Sequence, residues 1–555
     1  FFNRPESDRY ASVSSEKENN QMSTHTQSAR RRASAVVGAL ALGIAGLAGA
    51  SSAFADQGNI DPNATGSIVI HKHEAGSQKA DGTADGQTDT QGGAGVAGVT
   101  FTAFPISNLD LKTQADWNNL KNWNIPADAC GTDFNTPKLT LPSGAAAAFD
   151  AGKVSSPTNG QGLTTIGNLP VKAYLVCETN APSTVKKKAA PFLVTIPFPN
   201  NAANTAHADG NWLYNVNVYP KNTVVVAPTK GVEVSKNGIK TADQVTFPVT
   251  AKIPSIAATD SFKHFVVSDP LDSNLEEGKV ASVKIKGQAV DPSYYVATGG
   301  QNPSVGFTKA GLAYLRTVPN ETIEVVFTAK VKTVPAGGVI ENVANLYIDV
   351  IPGPTPPDNP PTTPPPSEPP TPTNKVVTSW GDITINKTDA DNEKTLAGAK
   401  FKVYNATDPY AASCESAVKS GDPISIGGED TFVSAANGVV SIEGLFVDKK
   451  QGAPDAQAVT PDHSQRCYVI EEIEAPAGYT LPSGGKEFTG ITVKAGKTTS
   501  AAVTVKNSKQ DVPGLPLTGA AGKLIMMLAG ATLVAIAVGS VFVARSRRKR
   551  QTAAL

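Results

Sequence analysis

The sequence has little of what a nucleic-acid-binding or metal-binding protein needs. Its 555 residues include 49 Lys and Arg against 49 Asp and Glu, so bulk electrostatics favour neither nucleic acid nor an acidic partner. Only four cysteines and six histidines are present, and they form neither a CxxC pair nor a His/Cys cluster. We therefore expect no metal site and no cofactor.

Common catalytic patterns are missing as well. The sequence contains no G-x-S-x-G motif, no HExxH motif and no pattern typical of a Cys/His nucleophile. This argues against an enzyme.

Turn-forming residues and short apolar runs are abundant. The chain has 49 glycines and 41 prolines, and Val, Thr, Ile and Ala occur in short alternating runs bounded by turn residues. Alternation with a period of two is typical of half-buried strands. We predict an all-β exported protein built from tandem Ig-like β-sandwiches.

The N-terminal segment has the pattern of a secretory signal peptide. Met22 is the expected start, which makes 1–21 a non-native upstream stretch. Three arginines, an apolar run over 33–50 and an Ala-Phe-Ala sequence follow, in the order of a signal peptide over 22–55. Cleavage after this sequence would make Asp56 the first residue of the mature chain. The alternative is a membrane anchor, but the apolar run is short.

The C-terminal segment can cross a bilayer. Residues 524–544 carry no charge and are long enough as a helix to span the hydrocarbon core. Basic residues follow over 545–550, so this end should stay cytoplasmic. An ordinary type I membrane protein would look similar. A pentapeptide precedes the span, consisting of Leu515, Pro516, Leu517, Thr518 and Gly519.

This pentapeptide resembles the LPXTG sorting signal of Gram-positive surface proteins. The resemblance implies cleavage by a membrane sortase between Thr518 and Gly519, with the Thr carbonyl held as a thioester until an amine takes it. The apolar span would be a temporary tether. The protein is then expected to be secreted and wall-anchored.

Composition divides the mature chain into three blocks and a spacer. The segment 67–72 with its downstream Gly98 parallels 382–387 with Gly398, which indicates related modules. A Pro-dense stretch is interpreted as a stiff, extended linker. The predicted order is an N-terminal domain over 56–222, a middle domain over 223–351, the linker over 352–377, a C-terminal domain over 378–508 and the sorting segment over 509–555.

Four cysteines in an exported chain predict two disulfides. Three pairings are possible. The domain layout favours Cys130 with Cys177 and Cys414 with Cys467.

Strand parity places charged residues among apolar ones. Lys387, Glu472 and Asn507 each share a strand face with apolar neighbours, so all three should be buried together. Lys230, Asp269 and Asn342 repeat the pattern in the middle domain. Burial favours a neutral amine and a protonated carboxyl, a pair suited to Lys–Asn amide exchange with loss of ammonia. The simpler alternative is a buried Lys–carboxylate pair with an unrelated Asn.

Two further motifs carry a family resemblance. Residues 468–479 resemble the pilin E-box Y-x-L-x-E-T-x-A-P-x-G-Y, with Glu472 at the key position. Residues 212–222 match the pilin motif W-x-x-x-V-x-V-Y-P-K-N at every specified position. The chain is similar to major fimbrial shaft subunits of the SpaH type from actinomycetes, with CNA-B-type domains and Lys–Asn isopeptide bonds.

The resemblance implies that Lys221 is the sortase acceptor. Parity places it on the solvent face at a strand end, where it would receive the Thr518 carbonyl of another subunit. A third trio of Lys72, Glu178 and Asn222 passes the same parity test, and whether it forms a bond is left open.

The implied partners are identical subunits in a head-to-tail polymer, pilus-specific and housekeeping sortases, peptidoglycan, minor pilins and surface receptors. The alternative function is a monomeric wall-anchored adhesin, or one at a pilus tip or base.

Overall fold

The computed structural model describes residues 60–75, 86, 93–120, 123–200, 212–498, 503–510 and 519–551, with side chains in the last segment over 523–548. The predicted signal peptide, the upstream stretch and residues 515–518 of the pentapeptide lie outside the described residues. β-strand is the predominant regular secondary structure of the described chain, as the alternating composition predicted.

The N-terminal domain is a β-sandwich. Its elements are β1 (Thr65–His71), β2 (His73–Glu74), β3 (Thr100–Pro105), α1 (Gln114–Leu120), β4 (Lys153–Val154), β5 (Leu163–Pro170), β6 (Lys172–Asn180), β7 (Val185–Lys187), β8 (Phe192–Ile196), β9 (Phe198–Pro199), β10 (Trp212–Leu213), β11 (Asn215–Val218) and β12 (Lys221–Val224). The sheet β11-β1-β5 faces the sheet β4-β3-β6-β8 across a core that includes Ile68, Phe101 and Tyr174. A small sheet, β2-β12-β7, continues from the end of β1.

The middle domain is a second sandwich. Its elements are β13 (Thr229–Lys230), β14 (Glu233–Val234), β15 (Val245–Lys252), β16 (Asp260–Ser268), β17 (Leu275–Ile285), β18 (Gln288–Ala289), a 3-10 turn (Pro292–Tyr294), β19 (Tyr295–Thr298), β20 (Ser304–Phe307), α2 (Lys309–Thr317), β21 (Thr322–Val331), β22 (Val339–Asn342), β23 (Asn345–Pro352) and β24 (Thr371–Pro372). The sheet β13-β15-β21-β17-β18 packs on the sheet β19-β20-β16-β23-β24.

The C-terminal domain repeats this plan and is followed by a single helix. Its elements are β25 (Val376–Asp389), β26 (Lys400–Ala406), β27 (Lys419–Ser420), β28 (Phe432–Val433), β29 (Val439–Gln451), β30 (Gln465–Glu474), β31 (Phe488–Lys494), β32 (Val503–Asn507) and α3 (Gly519–Gln551). The sheet containing β25, β29 and β32 faces the sheet β27-β26-β30-β31. Within α3, Lys523–Arg548 is long and apolar enough to cross a membrane.

Both predicted disulfides are confirmed. Cys130–Cys177 ties the long loop between α1 and β4 to strand β6, and Cys414–Cys467 ties the loop after β26 to strand β30. Each disulfide therefore holds a long loop against a central strand of its domain.

The Pro-rich segment differs from the extended spacer predicted from composition. β24 pairs with β23, and Leu346 lies in register with Thr371, so the chain turns back on itself between them. We call the Pro-rich segment between β23 and β24 the Pro-rich strap. Two side-chain pairs hold it against the middle domain: Lys309 Nζ is 2.5 Å from Asp358 Oδ1, and His264 Nε2 is 2.8 Å from Glu368 Oε2. Proline content sets local stiffness, but it carries no information about where a stiff segment docks.

The middle and C-terminal domains share hydrogen bonds and a core. β22 pairs with the first residues of β25, with Ile340 in register with Thr378. Trp380 of β25 is fully buried in the hydrophobic cluster of the middle domain and contacts the Phe446 ring, with centroids 5.3 Å apart. Its indole N–H donates to Thr378 Oγ1 over 3.0 Å. This junction is a packed interface.

Trp380 is therefore expected to stabilise both domains together. Trp380→Ala should lower the free energy of unfolding by about 3 kcal/mol or more, because it empties a large volume in a shared core. Urea unfolding followed by circular dichroism measures this. Val433→Ala, at a position 52% exposed, is the control and should change stability by less than about 1 kcal/mol. Equal effects of the two substitutions would contradict a shared core.

Candidate functional site

The C-terminal domain brings Lys387, Glu472 and Asn507 together inside its core. β25 and β32 lie side by side in parallel, with Lys387 in register with Val505. Glu472 comes from β30 in the facing sheet. The three residues are 0%, 3% and 1% exposed, respectively, as the strand parity predicted.

The polar atoms of this trio face one another. Lys387 Nζ donates to Asn507 Oδ1, and also to the Val505 carbonyl over 3.2 Å. On the other side of the carboxamide, Asn507 Nδ2 donates to Glu472 Oε1 over 2.8 Å. Glu472 Oε2 lies 3.4 Å from Lys387 Nζ. The amine thus contacts the amide oxygen, and the carboxyl contacts the amide nitrogen.

Burial shifts the pKa of both groups in this pair. Desolvation lowers the pKa of the Lys387 amine and raises the pKa of the Glu472 carboxyl, and the attraction between the two groups only partly offsets these shifts. Both shifts favour the neutral forms. A neutral amine can attack a carbonyl carbon, and a protonated carboxyl can supply a proton to the departing nitrogen.

The middle domain contains an equivalent trio. Lys230 on β13 and Asp269 after β16 are both 0% exposed, and Asn342 at the end of β22 is 4% exposed. Lys230 Nζ is 2.5 Å from Asp269 Oδ2 and 4.3 Å from the centroid of the Phe247 ring. Burial lowers the pKa of Lys230 to about 8 and raises the pKa of Asp269.

Asn342 completes this trio from the end of β22, a strand that pairs with β25. Its side chain lies close enough to Asp269 to lower the pKa of that carboxyl, against the larger effect of desolvation. Its amide atoms have no hydrogen bond of regular geometry within the described residues. Asn374 holds the lysine in place from the other side, because it accepts from the Lys230 N–H over 2.8 Å and donates to the Lys230 carbonyl over 2.9 Å.

The N-terminal domain buries the third trio in the same way. Lys72, Glu178 and Asn222 are 0%, 2% and 1% exposed, respectively. Lys72 Nζ is 2.9 Å from Glu178 Oε2, and Asn222 Nδ2 donates to Glu178 Oε1 over 2.8 Å. Desolvation lowers the pKa of Lys72 to about 8, with a smaller contribution from the positive charge of Lys221. In burial, in the Lys–Glu pair and in the Asn–Glu hydrogen bond, this trio matches that of the C-terminal domain. It differs in the amide oxygen: Asn507 accepts from Lys387, whereas the Asn222 oxygen has no hydrogen-bond partner within the described residues.

The sequence predicted Lys221 at the outer end of one long strand. The structure divides that stretch into β10, β11 and β12, and Lys221 is the first residue of β12, directly after Pro220. Proline has no N–H to donate, so the ladder breaks there. Lys221 is half-buried, whereas the next residue, Asn222, is buried in the trio. The alternation of faces between these two residues follows the predicted parity.

Two features of these sites were not found from the sequence. One is the pair of hydrogen bonds between Asn374 and the Lys230 backbone. Asn374 lies near the end of the Pro-rich segment, which the sequence did not place against the middle domain. The other is His73, which pairs in register with Lys221. His73 directly follows Lys72 in the sequence. Because neighbouring residues of a strand face opposite sides, the sequence could have placed the His73 side chain on the outer face.

Of the sorting signal, only Gly519 lies within the described residues, where it begins α3. Residues 515–518 are outside the described part of the chain. Among the described residues, no group of three His, Cys, Asp or Glu is arranged to hold a metal ion.

Family models match three parts of the chain. Residues 63–223 match the Gram-positive pilin subunit D1 N-terminal domain, residues 381–509 match a prealbumin-like fold domain and residues 507–551 match the LPXTG cell wall anchor motif. The first match contains the whole N-terminal trio and Lys221.

Similar proteins span nearly the whole chain. Fimbrial subunit type 2 of Actinomyces naeslundii is 40% identical over 96% of this chain and 99% of its own length. Fimbrial subunit type 1 of Actinomyces viscosus is 30% identical over 92% of this chain and 95% of its own length. The structure of the full-length major pilin SpaD from Corynebacterium diphtheriae is similar, with a TM-score of 0.60 and 26% identity, over 82% of this chain and 99% of that one.

These similarities cover the sandwich domains and the anchor together, which is more than a single shared module would give. The chain therefore belongs to the LPXTG-anchored major pilins of Gram-positive bacteria, the structural shaft subunits of cell-wall-anchored fimbriae.

Proposed function

We propose that this pilin is polymerised by an amide bond between Thr518 of one subunit and Lys221 of the next. The observation that carries this proposal is the position of Lys221, fixed at the start of β12 by its buried neighbour Asn222 and half-buried at the surface of the pilin D1 domain. A pilus sortase would hold the Thr518 carbonyl as a thioester, and the Lys221 amine would displace the enzyme thiol. The contact is head-to-tail and does not close on itself, so repetition gives a fibre.

Each buried trio is proposed to form an intramolecular isopeptide bond. The Lys Nζ attacks the Asn Cγ and forms the new C–N bond, the old bond to Nδ2 breaks, and ammonia leaves. The acid accepts a proton from the attacking nitrogen and passes one to the leaving nitrogen. The bonds would be Lys387–Asn507 with Glu472, and Lys230–Asn342 with Asp269.

We extend this proposal to the N-terminal domain. Lys72, Glu178 and Asn222 have the burial, the Lys–Glu pair and the Asn–Glu hydrogen bond of the C-terminal trio, so the lysine amine and the asparagine amide both contact the same acid. Strand parity alone does not decide whether this bond forms, and the side-chain geometry supports it.

The cross-links would shorten the path that tension takes through a subunit. Force entering at Lys221 passes to Lys230, crosses to Asn342, follows the chain to Lys387 and crosses again to Asn507. The strands between each cross-linked pair are then excluded from the loaded path. A shaft of this kind would transmit shear without unravelling its sandwich domains.

This function makes the chain a structural substrate of sortases, with no turnover of its own. Peptidoglycan would receive the last subunit through a housekeeping sortase. Minor pilins and surface receptors are proposed partners in adhesion. A monomeric wall-anchored adhesin is the alternative, and it would need the sorting signal without needing Lys221.

Intact mass tests the isopeptide bonds. After reduction of its two disulfides, the mature chain should weigh less than its sequence mass by three ammonia molecules. Glu472→Gln should lose only two ammonia molecules, because the carboxyl that assists the Lys387–Asn507 reaction is absent. Glu471→Gln is the matched control: its carboxylate faces outward 3.0 Å from Lys419, so all three losses should persist. An unmodified wild-type mass would contradict the proposal.

The pH dependence of an unlinked variant tests the buried amine. In Asn342→Ala, Lys230 keeps a titratable amine with a folded pKa of about 8, below its ordinary 10.5. The unfolded chain binds more protons between these values, so the free energy of unfolding should rise with pH across that window, by on the order of 3 kcal/mol.

Wild type lacks this slope if its amine is already an amide. Urea titrations across the window measure the difference, and Lys230→Met combined with Asn342→Ala should abolish the slope. A wild-type slope equal to that of Asn342→Ala would indicate that no bond forms.

The acceptor is tested in cells. A Lys221→Arg strain should lose the high-mass ladder seen when wall proteins are run on a denaturing gel, because the guanidinium stays protonated and is a poor nucleophile. Lys153→Arg, at an exposed position on β4, should keep the ladder. A ladder that persists in Lys221→Arg would favour a different acceptor, and a single band in wild type would favour the monomeric adhesin.

A further inference from the structure

His73 lies directly across the ladder from the proposed acceptor lysine. β2 and β12 pair in parallel, with Lys221 in register with His73 and Asn222 in register with Glu74. Two backbone hydrogen bonds fix this register: the His73 N–H donates to the Pro220 carbonyl over 3.3 Å, and the Ala75 N–H donates to the Asn222 carbonyl over 2.7 Å.

The register pairs His73 with Lys221 and Glu74 with Asn222, and side chains alternate between the two faces of this short ladder. Lys72 and Asn222 point into the core and are almost fully buried. His73 and Lys221 alternate with them and are both half-buried. Because partners in register share a face, the imidazole and the amine are neighbours on the outer face.

One hydrogen bond orients the His73 ring. Its Nδ1 is 3.0 Å from the Gly93 carbonyl oxygen. A carbonyl can only accept, so Nδ1 carries the proton in this contact, and Nε2 of the neutral ring keeps its lone pair as an acceptor.

The surroundings of His73 favour the neutral ring. Desolvation lowers its pKa below 6.5, the Gly93 carbonyl opposes this, and the positive charges of Lys221, His71 and Lys72 lower the pKa further. Other groups are nearby: His71 stacks on Tyr219 at 4.7 Å, and Lys72 is paired with Glu178. Glu74 is the next residue along β2. At neutral pH the imidazole is therefore a base.

We propose that His73 is the proton acceptor for Lys221 during acyl transfer, acting through Nε2. This inference rests on the proposed function of Lys221. The neutral Lys221 amine attacks the thioester carbon, and the C–N bond forms as the C–S bond breaks. His73 takes one proton from the attacking nitrogen, the sortase leaves as a thiolate, and the protonated ring returns its proton to solvent or to that thiolate.

The test measures acyl transfer to the mature chain from Asp56 onward. The chain carries Thr518→Ala so that it acts only as an acceptor, and the donor is a labelled peptide containing LPLTG with the purified pilus sortase. His73→Gln should slow amide formation at neutral pH by at least about tenfold. His71→Gln is the matched control on the preceding outward position of the same segment, and it should react near the wild-type rate.

The pH profile separates proton transfer from a structural role. The wild-type rate, divided by the His73→Gln rate at each pH, should fall as the pH drops through the pKa of His73 below 6.5. Added imidazole should restore part of the rate in His73→Ala. The ammonia loss from the Lys72–Asn222 pair, measured by mass in each variant, checks that the N-terminal domain still folds.

The outcomes are distinguishable. A wild-type rate in His73→Gln, or a slow rate whose ratio to wild type does not change with pH and is not rescued by imidazole, would overturn the role of His73 while leaving Lys221 as acceptor. Labelling that persists in Lys221→Arg would overturn the proposed function itself.

Discussion

The parallel contact between the first and last strands of a domain is the constraint on which the rest of this protein depends. In the C-terminal domain it places the lysine of β25 beside the asparagine of β32, with an acid from the facing sheet. In the N-terminal domain, β1 pairs in parallel with β11 and the chain continues into β2 and β12, which brings Lys72 and Asn222 to Glu178. Burying a lysine is costly unless its charge is removed, and an amide bond removes it permanently.

The same ladder would serve both proposed reactions, one on each of its faces. Lys72 and Asn222 are buried on the inner face, while His73 and Lys221 occupy the outer face one residue away. A change that shifts this register by one residue would exchange the two faces and destroy both sites.

Much of the fold and of the buried trios could be predicted from the sequence. Side-chain alternation along strands is a local property, so Lys387, Lys230 and Lys72 could be assigned to core faces without knowing the topology. Long-range docking could not be predicted in this way. The Pro-rich strap that returns along β23, the shared core around Trp380 and the pairing of His73 with Lys221 all depend on which segments meet in space.

The most direct test of the account is tandem mass spectrometry of peptides released from purified fibres. We predict a branched peptide in which the Thr518 carboxyl is amide-linked to the Lys221 side chain of an identical subunit. It would be contradicted if Thr518 were found bonded only to peptidoglycan, or to a different side chain.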